Sequence, residues 1–191
     1  MNDTPQVPLM TAEELLALPE DEEVERELIR GELREEPMTR RNPGHSGTEA
    51  HLSRLLGNWW KQQPKPRGRV LAGEAGFRIQ RDPDTAVGID VAYISAEQAS
   101  RTPKGAKIVD GPPVLAVEIL SPSDKQEKIW ERVRNLLEAG VLLVWIADPV
   151  FRTVCVYRPD AEPQLFNVHQ ELTAEPHLPG LRIPVAEIFE D

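Results

Sequence analysis

Two strongly apolar stretches, "PPVLAVEIL" from Pro112 and "VLLVWIADP" from Val141, enclose the segment "SPSDKQEKIWERVRNLLEAG". Each apolar run has the length and β-branched content of a buried strand. The segment between them reads as a helix, with Ser121 or Ser123 available as its N-cap and Gly140 suited to a left-handed closing residue. A strand, a helix and a second strand in that order form a βαβ crossover, so the two strands are parallel neighbours joined by a right-handed connection. This pattern commits the chain to an α/β architecture with at least part of its sheet parallel.

The remaining segments add to that sheet. "TAEELLALP" begins with Thr11 as an N-cap, places Glu13 and Glu14 in the first turn and ends near Pro19, so a short helix is expected. "RELIRGELREE" predicts two short antiparallel strands around an Arg30-Gly31 turn. Between Gly44 and about Gln62, the residues Ala50, Leu52, Leu55, Leu56, Trp59 and Trp60 recur at helical spacing. "GEAGFRIQ" and "VGIDVAYI" predict strands joined by the turn "RDPDT", and "ASRTPKGAKIVDGPP" reads as a polar loop. "RTVCVYRP" and "PQLFNVHQ" add shorter strands, and "PVAEIF" a last helical turn. The expected fold is a mixed central sheet with flanking helices and an N-terminal hairpin. Residues 1–191 form one domain in this reading, with the first twenty loosely attached.

Composition narrows the function classes. Of 191 residues, 40% are hydrophobic and 28% charged, and no apolar run approaches the roughly 20 residues of a membrane span. "MNDTPQVPLM" lacks a basic leader and an apolar stretch, and the single cysteine, Cys155, has no internal partner; a cytoplasmic protein is expected. The formal net charge of -10 argues against coating nucleic acid by bulk attraction, but leaves room for a local basic groove or a bound divalent cation. There is no Walker-type glycine loop, Cys-x-x-Cys pair or Gly-x-Ser-x-Gly elbow.

One chemical signal remains. Glu118 interrupts the apolar "VLAVEIL", and Asp90 does the same in "VGIDVAYI". A buried carboxylate needs a cation, a metal ion or a raised pKa. If the two strands pair, the acids converge and can share a divalent cation, with Mg²⁺ favoured by hard oxygen ligands. The plainer alternative pairs each acid with an arginine such as Arg78 or Arg132. Trp59, Trp60, Trp130 and Trp145 are expected in the core, Cys155 as a small buried hydrophobe, and His51, His169 and His177 show no metal-ligand spacing.

The order "RELIRGEL", His45, "GIDVAYI", "VEILSPS", "LEAGVLLVWIADP", "TVCVYRP" and "LPGLRIPVAEIF", from about Thr11 to Phe189, resembles the Uma-two family of the PD-(D/E)XK nuclease superfamily, described as restriction endonucleases. The resemblance implies a restriction-endonuclease-like core and phosphodiester hydrolysis of DNA with Mg²⁺ or Mn²⁺. It places the metal-binding acids on Asp90 and Glu118, and implies a homodimer, since cutting both strands calls for two sites. Glu27 matches a recurrent family acid and is a further candidate metal ligand, His45 matches a recurrent position from which it can contact a phosphate or orient a water, and Glu74 can approach the same carboxylates from a neighbouring strand. The plain accounts are a hairpin acid paired with Arg26 or Arg30, a helix-capping or surface histidine, and a solvated strand edge.

The sequence also departs from the family. The superfamily lysine two residues after the acid is Leu120 here, and the position on the next helix to which this family moves it is Arg132. Arginine keeps the charge but does not readily give up a proton. Lys128, one turn earlier, can supply an ammonium in its place. Leu136 and Ile89 stand where the family often has an aromatic and a proline. Two rival readings follow: a degenerate member that binds DNA or a protein without cutting, and a structural oligomeric domain with salt-bridged acids.

Overall fold

The computed structural model describes residues 9–38 and 42–190. The βαβ unit forms as expected. Strand β6 (Leu115–Ile119) runs parallel to β7 (Leu143–Asp148), with helix α4 (Gln126–Glu138) between them. Gly140 closes α4 at a φ of 97°, the left-handed value that favours glycine.

Local chemistry also specifies the N-terminal elements. Thr11 and Glu14 form a reciprocal capping box on α1 (Ala12–Ala17). β1 (Val24–Ile29) and β2 (Glu32–Pro37) pair as a hairpin through Arg30 and Gly31, both at positive φ, the signature of a tight two-residue turn. The segment from residue 9 onward is tied down: Ala12 is fully buried, its N–H donates to Asp84 Oδ2 at 2.8 Å, and Met10 N–H donates to Gly31 O at 2.8 Å. Residues 1–8, the rest of the segment expected to be loosely attached, lie outside the described residues.

Helix α2 (Pro43–Gln62) leads into the long antiparallel pair β3 (Arg69–Gln80) and β4 (Thr85–Ile94). The loop expected next is instead ordered. It contains α3 (Ala96–Arg101), capped by Ser95, and β5 (Val109–Asp110), which pairs in parallel with β3. The buried Gln98 closes the segment by donating to the carbonyls of Asp110 and Gly111 at 3.2 and 2.9 Å. After β7 come β8 (Thr153–Tyr157) and β9 (Gln164–Asn167). A two-stranded sheet of β10 (Glu171–Thr173) and β11 (Arg182–Pro184) and the short α5 (Val185–Ile188) end the described chain.

Among the described residues the main sheet has the order β2-β1-β4-β6-β7-β8-β9, with β3 and β5 joined through β4. Leu52, Leu55, Leu56 and Trp59 of α2 pack on one face against Val117, Trp145 and Val154. Val133 and Leu136 of α4 pack on the other against Ala116, Val144 and Ile146. Trp145 and Trp59 are core residues as expected, and Trp60 is half-buried with the Arg67 guanidinium 3.9 Å above its ring. Trp130 is not in the core: it is 64% exposed on the outer face of α4. Cys155 is half-buried rather than buried.

One irregularity in this sheet positions the site. β6 pairs with β4 through Tyr93↔Leu115, Ala92↔Ala116 and Val91↔Val117, then leaves it. Further along the same edge of β4 the neighbour is β1, which meets it at Leu28↔Ala86. The sheet therefore forks beside β4, and Asp90 and Glu118 are the next residues past the last β4–β6 pair.

Candidate active site at the sheet fork

Asp90 is 4% exposed at the fork. Alternate N–H groups of β6 point to opposite neighbours: that of Leu120 donates to Ala147 O on β7 at 2.8 Å, so that of Ile119 points toward β4. There β4 has already diverged, and Asp90 Oδ2 accepts the Ile119 N–H at 2.7 Å. The acid thus replaces a missing ladder bond, which anchors one of its oxygens. Its other oxygen, Oδ1, lies 3.3 Å from His45 Nε2.

His45 is neither a cap nor a surface residue. Asn42 caps α2, accepting the His45 N–H at 3.0 Å, and the imidazole is fully buried. The approach of Nε2 to Asp90 is too oblique for a hydrogen bond, and Nδ1 has no hydrogen-bond partner.

Glu118 lines the same cleft as Asp90 and reaches toward α4. Its Oε1 is 3.6 Å from Arg132 Nε, and its side chain is 16% exposed. Arg132 Nη2 donates to Glu27 Oε1 at 2.7 Å, and that oxygen also accepts the Gly88 N–H at 3.2 Å. Burial opposes the charge on Arg132, but the Glu118 and Glu27 carboxylates outweigh it and raise the guanidinium pKa above its ordinary value. Glu27 is therefore not the solvent-facing acid that would pair with Arg26 or Arg30. Those arginines bind Glu35 and Glu138, each within 3 Å.

The salt-bridge alternative holds for Glu118, whose partner is Arg132. It does not hold for Arg78, which binds Glu13, Asp84 and Asp110 away from the fork. Lys128 faces the cleft, but its ammonium is held by Glu36 of β2. Glu74 enters the same cleft from β3. It sits at a bulge with φ 55°, and Gly73 beside it, at φ 80°, donates its N–H to Glu49 Oε1 at 2.7 Å. Gly88 leaves room for it: a Cβ there would lie 2.6 Å from Glu74 Oε2. Ser121 and Ser123 do not cap α4. Its N-cap is Lys125, without a side-chain bond, because residues 121–124 form their own turn with Asp124 accepting the Ser121 N–H at 2.8 Å.

These side chains line a cleft of about 450 Å³ between the hairpin and α4. Its walls also carry Glu25, Arg34, Asp124 and Glu131, which the sequence reading did not single out. The missed signal was strand parity: Glu25 and Glu27 alternate on the face of β1 that bears Ile29, and Arg34 lies opposite Glu27 in the hairpin register. A broader groove of about 600 Å³ surrounds Trp130 on the outside of α4. It contains neither Asp90 nor Glu118, both of which line the smaller cleft.

Eight of the cleft's lining side chains are carboxylates and four are basic, so the site attracts cations. Among the described residues no three or more His, Cys, Asp or Glu side chains form a metal-binding group. Zinc sites use three or four protein ligands, whereas Mg²⁺ takes one or two carboxylates and fills its octahedron with water and substrate oxygens. The pair Asp90 and Glu118 fits the second pattern.

Comparison with known proteins extends this picture. No curated protein matches the chain. Among solved structures, a protein from Anabaena variabilis described as "a putative nuclease belonging to DUF820" aligns with a TM-score of 0.76 and 24% sequence identity, over 94% of this chain and 97% of that one. The two share a fold: the mixed α/β sheet with flanking helices expected from the sequence. A family model, Uma2, described as "Putative restriction endonuclease", matches residues 12–186. That span takes in every strand and helix around the fork, and by this match the chain belongs to the Uma2 family.

Proposed function

We propose that the cleft hydrolyses phosphodiester bonds of DNA, with Asp90 and Glu118 holding a divalent cation, Mg²⁺ or Mn²⁺. The observation that carries this reading is the placement of the two acids side by side at the sheet fork, with a guanidinium across from them. Family membership supports the nuclease activity and DNA as substrate. A cation held there would polarise a phosphoryl oxygen and lower the pKa of a bound water.

The protein's own groups have distinct parts. The Ile119 N–H orients Asp90, so the carboxylate enters the site at little further entropic cost. Arg132 is steadied by Glu27, while its buried Nη1 has no hydrogen-bond partner. It can therefore meet a phosphate and offset charge that builds in the transition state. It remains protonated throughout and does not act as the base. Cutting both strands of a duplex would require two such clefts, which favours a homodimer.

A second reading, binding without cutting, is favoured by one set of contacts. Leu120 carries no ammonium, Lys128 is held by Glu36, and Arg132 is paired with Glu27 and Glu118. Plasmid nicking in Mg²⁺ or Mn²⁺ separates the two. Asp90→Asn and Glu118→Gln should each lose at least about 10²-fold in rate. Equal rates in native chain and variants would remove the acids from the mechanism. Mg²⁺ stabilisation of the native chain alone, without nicking, would favour the binding reading. The structural reading requires that Mg²⁺ stabilise neither.

A further inference from the structure

The hairpin and α4 form the two walls of the cleft, and four ion pairs cross between them. Arg132 binds Glu27 at 2.7 Å, Arg34 grips Glu131 with two bonds of 2.7 and 2.9 Å, Arg30 meets Glu138 at 2.9 Å, and Lys128 meets Glu36. Against this, the hairpin's attachment to the sheet is confined to its turn-side half. β1 meets β4 at one ladder position, Leu28↔Ala86, and every residue of β2 is exposed. The remaining tethers lie toward the turn end of β1: Glu27 Oε1 accepts the Gly88 N–H at 3.2 Å, Leu28 and Ile29 are buried in the core, Gly31 N–H donates to Asp84 O at 2.6 Å and Arg30 N–H to Thr85 Oγ1 at 3.1 Å. The hairpin is thus hinged at its turn end, over residues 27–31, and its exposed strand β2 is latched to α4 by Arg34 and Glu36.

Three of the cleft's four basic side chains, Arg34, Lys128 and Arg132, are occupied by carboxylates in this closed arrangement. They are also the groups a phosphate backbone would seek. We propose that the β1–β2 hairpin is a strap latched over the site by these pairs, and that nucleic-acid phosphates open it by taking Arg34 and Lys128 from Glu131 and Glu36. This rests on the nuclease reading for the identity of the polyanion. The exchange is energetically feasible because the outer pairs are weak. Lys128 and Glu36 are 56% and 57% exposed, Arg34 and Glu131 43% and 31%, and solvent and salt screen pairs of that kind. The inner pair, Arg132 with Glu27, is 24% and 19% exposed and persists longest.

The test uses the full chain carrying Glu36→Gln and Glu131→Gln, which release the latch without touching the acids of the fork. A control, Glu22→Gln with Glu127→Gln, removes the same charge elsewhere. Amide hydrogen exchange over residues 32–37 should quicken about fivefold in the latch variant and leave the control unchanged. Native protein should show the same quickening as NaCl rises from about 0.05 to 0.5 M. A short fluorescein-labelled duplex, held uncut in Ca²⁺, should bind the latch variant about fivefold more tightly than the control. Unchanged exchange in the latch variant overturns the strap, and so does binding no tighter than the control's. Failure of the nuclease reading is seen separately, in nicking that Asp90→Asn leaves intact, and does not alter the exchange result.

Discussion

Asp90 serves two purposes with one side chain, and its two oxygens can be tested apart. One oxygen replaces the ladder bond that Ile119 loses at the fork, and the other lies 3.3 Å from Nε2 of the buried His45. Asparagine can still accept the Ile119 N–H, whereas alanine leaves that buried donor unsatisfied. Asp90→Ala should therefore lower stability by about 1–3 kcal/mol in chemical denaturation, and Asp90→Asn by clearly less, although both lose the charge. Gly88→Ala probes Glu74 in the same way. The added methyl displaces the end of a flexible side chain, so stability should fall by less than about 1 kcal/mol. Thermal-shift titration should then need more Mg²⁺ to stabilise the variant, because a cleft carboxylate has been pushed aside. Both fork acids were legible in the sequence, because an acid inside an apolar strand breaks a simple rule. The setting of His45 was not, because nothing local in "NPGHSG" shows that a distant strand will bury it against Asp90.

At the scale of elements, hairpin and helix meet through charge, and that contact responds to acid. The Arg34 guanidinium holds the Glu131 carboxyl below its ordinary value near 4.5, with burial acting in the opposite sense. Arg81, and then Arg78 against some burial, similarly hold Asp110 below its ordinary 3.8. The stabilisation from each group is complete above its unfolded-state pKa, and is lost as pH falls through the depressed folded value. Melting temperature should therefore be flat from neutral pH to about pH 5 and decline below about pH 4. Glu131→Gln should flatten part of that decline, by less than about 1 kcal/mol because the pair is partly exposed. The capping box, the hairpin turn and the βαβ crossover were readable because each is specified within a few residues. α3, β5 and the β10–β11 pair were not, since their short polar segments become ordered only against partners far away in the chain, such as Gln98 on the carbonyls of 110 and 111.

For the whole molecule, a net charge of -10 and a cleft richer in acids than bases make unaided DNA binding unfavourable. Binding of a short duplex should depend on a divalent cation and weaken at least about tenfold in EDTA, as measured by fluorescence anisotropy. Equal binding with and without the cation would detach DNA recognition from the fork. The molecule also carries its own means of observing such events. Trp145 and Trp59 are buried and Trp60 is half-covered, but Trp130 stands 64% exposed on the helix that bears Lys128 and Arg132. A collisional quencher such as iodide or acrylamide would extinguish chiefly Trp130, so the native chain provides an unlabelled optical gauge of α4 and of whatever comes to rest against it.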